Sequence, residues 1–248
     1  MRILDVSPMA VNPPRRGSAI RTYNLLRHLS ARHEVRQFSL LWDDPLSPWP
    51  GIERSQVTPT YSELRFRHPL TTAANRLGER AWVNAPLLSG LALEITRPPL
   101  LTRLLPWADV LMVEFPWQFE YCRRRSQAPS VLASHNLEAL KFASWAEAAG
   151  ASFTTRPWLR YVERMEARAA RTAGLVLAVT ATERERFIER YGMDPERVVE
   201  IPNGADTERY SPIQPDAKAA ARRRLGLPER PTVIYTASVI PPNRLGAD

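Results

Sequence analysis

The sequence predicts an α/β fold, a parallel sheet with helices on both faces, and three observations predict it. Short apolar runs alternate along the chain with longer amphipathic stretches, the order that stacks βα units side by side. The runs are compact and nearly continuous in apolar residues, as strands covered on both faces require. The chain is 248 residues long and 44% hydrophobic, enough to bury the core of one large domain or one and a fraction.

The first run, 3–6, reads as a strand, and a proline-containing loop leads from it through Gly17 and Ser18 into a helix. Ile20, Tyr23, Leu25, Leu26 and Leu29 form that helix's apolar face. A second strand is expected over 35–41, and the prolines that follow, from Pro45 to Pro50, end it. Residues 51–108 are the least periodic. They suggest a short strand near Val57 and helices within 70–105, interrupted at Pro86 and at Pro98-Pro99. Buried-strand patterns return at 109–114 and 130–134. After the latter, Asn136 can cap a helix through Leu137, Leu140 and Phe142, and a longer amphipathic helix covers 156–172. Residues 175–179 read as another strand. Thr182 and Glu185 have capping-box spacing for a helix ending near Tyr191-Gly192. A β-branched run over 197–201 is a further strand, ended by Pro202-Asn203-Gly204, because proline lacks an amide donor and Asn-Gly accepts positive φ. A helix over 216–225 and an apolar strand over 232–236 complete the reading.

Composition narrows the function classes. The formal net charge is +8, which invites a nucleic-acid partner, but arginines are dispersed through the chain with glutamates beside them, as in Glu183-Arg184-Glu185-Arg186. The expectation is therefore no nucleic acid. The denser clusters, Arg15-Arg16 and Arg123-Arg124-Arg125, are able to attract anionic phosphates or a lipid surface. No apolar window has the roughly eighteen residues of a spanning helix, and residues 1–6 read as a strand without a signal-peptide core. A cytoplasmic location follows as an expectation, with peripheral membrane association on the cytoplasmic face. One cysteine, Cys122, excludes an internal disulfide, and the four histidines lack ligand spacing, so no metal is expected.

Candidate chemistry gathers where strands end. A helix N-terminus after the first strand of a parallel sheet presents free amides and partial positive charge to the crevice, which suits a phosphate. Gly17 lets a ligand approach without a Cβ, and Ser18 can cap the helix or bond the ligand. A nicotinamide-dinucleotide site is disfavoured, since Gly17 is the only glycine in 13–19 and G-x-G-x-x-G is absent. His135, between a strand and a helix, can donate to a sugar hydroxyl or phosphate, or serve structurally. Glu114 can orient an acceptor hydroxyl or cap the helix that follows it. Trp117 and Phe119 can wall an acceptor or fill the core, and Asn136 lies beside His135 as a possible acceptor contact.

Three stretches together resemble one family. Ile201-Pro202-Asn203-Gly204-Ala205-Asp206, followed by Tyr210-Ser211-Pro212, resembles the segment closing the N-terminal domain of family 4 retaining glycosyltransferases, with Ala205 in place of the usual valine. Ser134-His135-Asn136-Leu137-Glu138 resembles their H-N-x-E element, and the loop at Gly17-Ser18 their first loop, which often carries two adjacent glycines. The resemblance implies the N-terminal, Rossmann-like half of a GT-B fold over 1–212, a helix and linker over 213–230, and at 231–248 a truncated start of the donor-binding C-terminal domain. It implies transfer of a sugar from a nucleotide diphosphate sugar to a saccharide or lipid-linked acceptor with retention and without a metal or other cofactor. By the same resemblance, Gly17 and Ser18 meet the donor diphosphate, His135 is catalytic, and Asn203, Gly204 and Asp206 form the domain junction. With the donor domain missing, the chain alone is expected to transfer poorly, and its exposed interdomain face to favour self-association. The alternatives are a non-catalytic acceptor-binding module acting with a separate partner, and a basic protein of membrane surfaces or nucleic acid.

Overall fold

The computed structural model describes residues 1–41, 51–73, 87–148, 150, 155–207, 210–228 and 230–233. Its strands are β1 (Arg2–Ser7), β2 (Glu34–Leu41), β3 (Gly51–Thr58), β4 (Tyr61–Arg67), β5 (Val110–Glu114), β6 (Ser130–Ala133), β7 (Leu175–Ala178) and β8 (Val198–Glu200). They form one sheet in the order β3-β4-β2-β1-β5-β6-β7-β8. Every neighbouring pair is parallel except β3 with β4. The parallel strands match the sequence expectation; the antiparallel edge does not. Near Val57 one short strand was expected, whereas 51–67 folds as a hairpin whose second strand extends the parallel sheet.

The helices are α1 (Gly17–Leu29), α2 (Ser89–Thr96), α3 (Pro99–Leu104), α4 (Phe119–Arg123), α5 (Glu138–Ala148), α6 (Thr155–Thr172), α7 (Ala181–Tyr191) and α8 (Pro215–Arg224). Side chains two apart along a strand share a face, so the sheet has two distinct sides. On one, Leu4, Val6, Phe38, Leu40, Leu111, Val113, Leu132 and Val176 pack with Leu101 and Leu104 of α3, Phe119 of α4, Ala169 of α6 and Phe187 of α7. On the other, Ile3, Val35, Tyr61, Met112 and Ala133 meet Leu26 of α1. Helices on both faces are thus observed. A third cluster joins Phe115 and Trp117 to Ala139 and Phe142 of α5 and Val162 of α6. Leu26 is fully buried, and its truncation to alanine should cost about 2–5 kcal/mol.

Several local expectations are corrected. Ile20 does not face the sheet; it is 44% exposed, and Ala19, Thr22 and Leu26 carry α1's buried side. The capping box of α7 lies two residues earlier than Thr182 and Glu185: Glu183 N donates to Thr180 Oγ1 at 3.1 Å, and Val179 N to Glu183 Oε2 at 3.4 Å. Asn136 does not cap α5. Its first amides, Glu138 N and Ala139 N, donate instead to the Glu166 carboxylate of α6 at 2.7 and 3.0 Å, so a buried acid on one helix caps another. Arg124 and Arg125 pair with Glu94 of α2, and Arg123 and Arg124 with Glu120, so the basic run is paired at its own surface and only partly offset in charge. The strand expected over 232–236 lies mostly outside the described residues, and 231–233 is not strand.

Candidate active site

The α1-facing side of the sheet changes character along its strands. From amino to carboxyl end its residues run Ile3, Asp5, Ser7 on β1; Val35, Gln37, Ser39 on β2; Tyr61, Glu63 on β4; and Met112, Glu114 on β5. Asp5, Ser7, Gln37, Ser39, Glu63 and Glu114 are all buried. Polar groups removed from water need partners, and Gln37 with Asp5 and Ser39 with Glu63 supply them to each other.

Glu63 secures the loop between β1 and α1. Its Oε1 accepts from Val11 N and Ser39 Oγ, each at 2.8 Å, and its Oε2 pairs with Arg65 at 2.9 Å. Arg65 also donates to Asn12 O. The loop so anchored delivers Gly17 as the first residue of α1. Arg16 is the N-cap and its side chain gives no cap, so no N-cap side chain occupies the first-turn amides of α1. Ser18 is therefore not the cap; its hydroxyl donates to Met9 Sδ at 3.5 Å. A Cβ on Gly17 would meet nothing within 4 Å, so no protein atom requires glycine at this position.

His135 follows β6, with its side chain 6% exposed, and its Nε2 hydrogen-bonds Glu114 Oε2 at the end of β5. Phe115 stacks on the imidazole at 4.4 Å and 22°. To reach it Phe115 adopts φ 68, a left-handed backbone that is uncommon for an aromatic residue and is held by Phe115 N donating to Ala133 O at 3.2 Å. Behind Phe115 lies Trp117, then Phe142, so the histidine rests on an aromatic column rooted in the core. Trp117 is 4% exposed and also lines a cavity of about 330 Å³ with Gly90, Tyr121, Tyr161 and Met165. Phe119 is fully buried in the main core. The Asn136 side chain turns to Glu138 Oε1 at 3.2 Å.

The structure brings Asn203, where a junction is expected, to the same edge. Arg21, one turn into α1, donates from Nη1 to Asn203 Oδ1 at 3.1 Å. Burial lowers its guanidinium from the ordinary value, while the charges of Glu114 and Glu183 oppose that shift. Gly204 and Asp206 are exposed beyond Asn203. Gly17, Glu114, His135 and Asn203 thus share the carboxyl edge of the sheet, while Trp117 stands behind it. Among the described residues, no group of three or more His, Cys, Asp or Glu is disposed to hold a metal ion. Cys122 is buried in the main core, and burial raises its thiol.

Sequence reasoning missed Asp5, Gln37, Glu63 and Arg21. Asp5 donates its place in an apolar run to a polar function, and a lone acid inside such a run was the available signal. Burial first, and then the charge of Glu114, push the Asp5 carboxyl well above the usual carboxylate range. Its Oδ2 accepts from Gln37 Nε2 at 3.0 Å, and Tyr61 OH donates to Gln37 Oε1 at 2.7 Å.

Comparison with known proteins identifies the family and the fold. The chain is 35% identical over 120 residues to a D-inositol 3-phosphate glycosyltransferase of Nocardia farcinica (strain IFM 10152), a stretch covering 48% of this chain and 25% of that protein. The corresponding enzyme of Salinispora arenicola (strain CNS-205) is 35% identical over 123 residues, covering 48% of this chain and 26% of that protein. In fold, the chain is similar to sucrose-phosphate synthase of Thermosynechococcus elongatus, with TM-score 0.62 and 17% identity over 92% of this chain and 53% of that one. It spans about half of that solved structure. The fold is accordingly the Rossmann-like N-terminal half of a GT-B architecture. The family model described as Glycosyltransferase Family 4 matches residues 15–209, which include the α1 N-terminus, His135 and Asn203. On that match, over most of its length, the chain belongs to glycosyltransferase family 4.

Proposed function

We propose that the chain is the acceptor-side part of a glycosyltransferase that moves a sugar from a nucleotide diphosphate sugar to a saccharide or lipid-linked acceptor, with retention and without a metal. The observation that carries this is the pairing, on one sheet edge, of an uncapped helix N-terminus at Gly17 with a histidine held by Glu114. Amides of the first turn favour a diphosphate oxygen, and Gly17 leaves it room to approach. Ser18 adds a hydroxyl nearby. His135 contacts the transferred sugar through the ring edge turned away from Glu114, a preorganised polar contact at the reacting centre. Glu114 positions that ring, and Trp117 and Asn136 shape the acceptor side. Asn203, Gly204 and Asp206 mark the passage to a donor-binding domain. An E. coli structure similar in fold, with TM-score 0.53 and 13% identity over 91% of this chain and 55% of that one, is described as bound with UDP-2-fluoro glucose, in keeping with a nucleotide diphosphate sugar donor. Residues 1–248 alone are expected to transfer slowly, and a cytoplasmic site of action is the expected one.

The test is product formation from a panel of nucleotide sugars with polyol phosphate, saccharide and lipid-linked acceptors, by residues 1–248 alone and with a donor-binding Rossmann domain supplied. A product of retained anomeric configuration is expected, and His135→Ala should lower kcat by a factor on the order of 100 or more. Pyrophosphate added to labelled protein should shift the amides of residues 17–19. An inverted product, or an unaltered rate in His135→Ala, would overturn the assignment.

A further inference from the structure

A chain of buried polar groups crosses the sheet from β4 to His135, and nothing in the proposed chemistry accounts for it. Tyr61 OH donates to Gln37 Oε1, Gln37 Nε2 donates to Asp5 Oδ2, and Asp5 shares its face of the sheet with Glu114 of β5, which bonds His135 Nε2. Asp5 and Gln37 are register partners on adjacent strands, and Glu114 lies diagonally across β1 and β5 on the same face. Asp5 Oδ1 is buried without a hydrogen-bond partner, which is costly for an ionised carboxylate and suits an oxygen that carries a proton.

We propose that Asp5 is a positioning residue for His135: as a neutral acid locked by Gln37, it turns a proton toward Glu114, so that Glu114 accepts from His135 Nε2–H and leaves Nδ1 as the ring's open edge. The direction of each link follows from the donors. With the Gln37 amide placed as it is, Tyr61 OH donates to its carbonyl and its Nε2 donates to Asp5 Oδ2, which leaves Oδ1 for the proton. Two carboxylates side by side in a buried site do not both ionise readily, and the shared proton resides on Asp5. The remaining negative charge at Glu114 bonds the imidazole and acts through space on Arg21, with Glu63 a further acid near Asp5. A neutral imidazole protonated at Nε2 presents a lone pair at Nδ1, and among the described residues no hydrogen bond occupies that atom. The edge offered to a substrate hydroxyl is thus an acceptor, set from four strands away.

The inference rests on His135 being the functional histidine, but its test needs no turnover. Long-range proton–nitrogen NMR of the imidazole, assigned with His135→Gln, reports which nitrogen carries the proton and where the ring titrates. The wild-type protein should show one tautomer, protonated at Nε2. Asp5→Asn keeps a donor toward Glu114 and an acceptor toward Gln37, so it should retain that tautomer and shift the titration midpoint by less than about half a unit. Had Asp5 been ionised, removing its charge would move the midpoint by about a unit or more, and that result overturns the proposal. Asp5→Leu deletes the donor and should yield both tautomers; a single unchanged tautomer in folded Asp5→Leu also overturns it. If Asp5→Leu does not fold, Gln37→Leu tests the same link by freeing the Asp5 carboxyl to rotate, with the same two outcomes. Sugar transfer together with two tautomers in the wild type would remove the relay and leave the glycosyltransferase reading intact.

Discussion

Glu166 sits on α6 with its carboxylate against the first turn of α5, fully buried, accepting from Glu138 N, Ala139 N and Tyr191 OH. Burial pushes it up to about 7 from 4.5, against the pull of those hydrogen bonds. An acid whose folded value is raised binds its proton more tightly when folded, so its stabilising contribution is complete below about 4.5 and is lost as pH rises through about 7. The shift corresponds to about 3 kcal/mol at most. Melting curves at pH 4.5 and 8 should therefore show a downward trend with pH that Glu166→Gln flattens by several degrees; equal trends in the two proteins would remove Glu166 as the source. Gly90 offers a second residue-scale test. A Cβ there would stand 2.6 Å from Trp117 O, a backbone atom that cannot swing aside. Gly90→Ala should destabilise by about 1–3 kcal/mol in denaturant titration despite its better helix propensity, and an unchanged midpoint would contradict the close approach.

At the scale of elements, legibility followed burial. The runs at 3–6, 35–41, 110–114 and 175–178 are covered on both faces, so their apolar continuity appears in the sequence and their strands were foreseen to within a residue or two. The run Tyr61–Arg67 was not, because Glu63, Arg65 and Arg67 interrupt it. Those charges are consistent with a strand only once β3 supplies Glu53 to Arg65 and Arg67, a pairing between strands that local sequence does not display. The cap of α7 was displaced for a related reason: two overlapping T-x-x-E frames, from Thr180 and from Thr182, fit one stretch, and the end of β7 selects the earlier. Helix α8 is an element of another kind. It is well formed by propensity, with Pro215 in its first turn and three arginines in its last, yet it buries no residue. Its amides should exchange with solvent far faster than those of β1 and β5, and limited trypsin should cut at 222–224 while the sheet stays folded. Protection of α8 equal to that of the central strands would show that something covers it.

For the whole molecule, the net charge of +8 is a poor guide to partners. Arg123, Arg124, Arg125 and Arg168 are committed to Glu94 and Glu120 on the helical side. Duplex DNA should therefore give no gel shift at 150 mM salt, and a salt-resistant complex would refute this view of the surface. The candidate site was legible in part. Gly17, Glu114, His135 and Asn203 stood out at strand ends, whereas Asp5, Gln37 and Glu63 act through register between strands distant in sequence, which one-dimensional patterns do not contain. That register makes the sheet two-sided: oily against the six helices α2 to α7, and polar against α1 toward its carboxyl edge. Mutational tolerance should therefore alternate residue by residue. In a saturation scan of β1, Leu4 and Val6 should accept other aliphatic residues, while Asp5 and Ser7 between them should reject every apolar exchange, so that tolerance oscillates with the pleat of the strand.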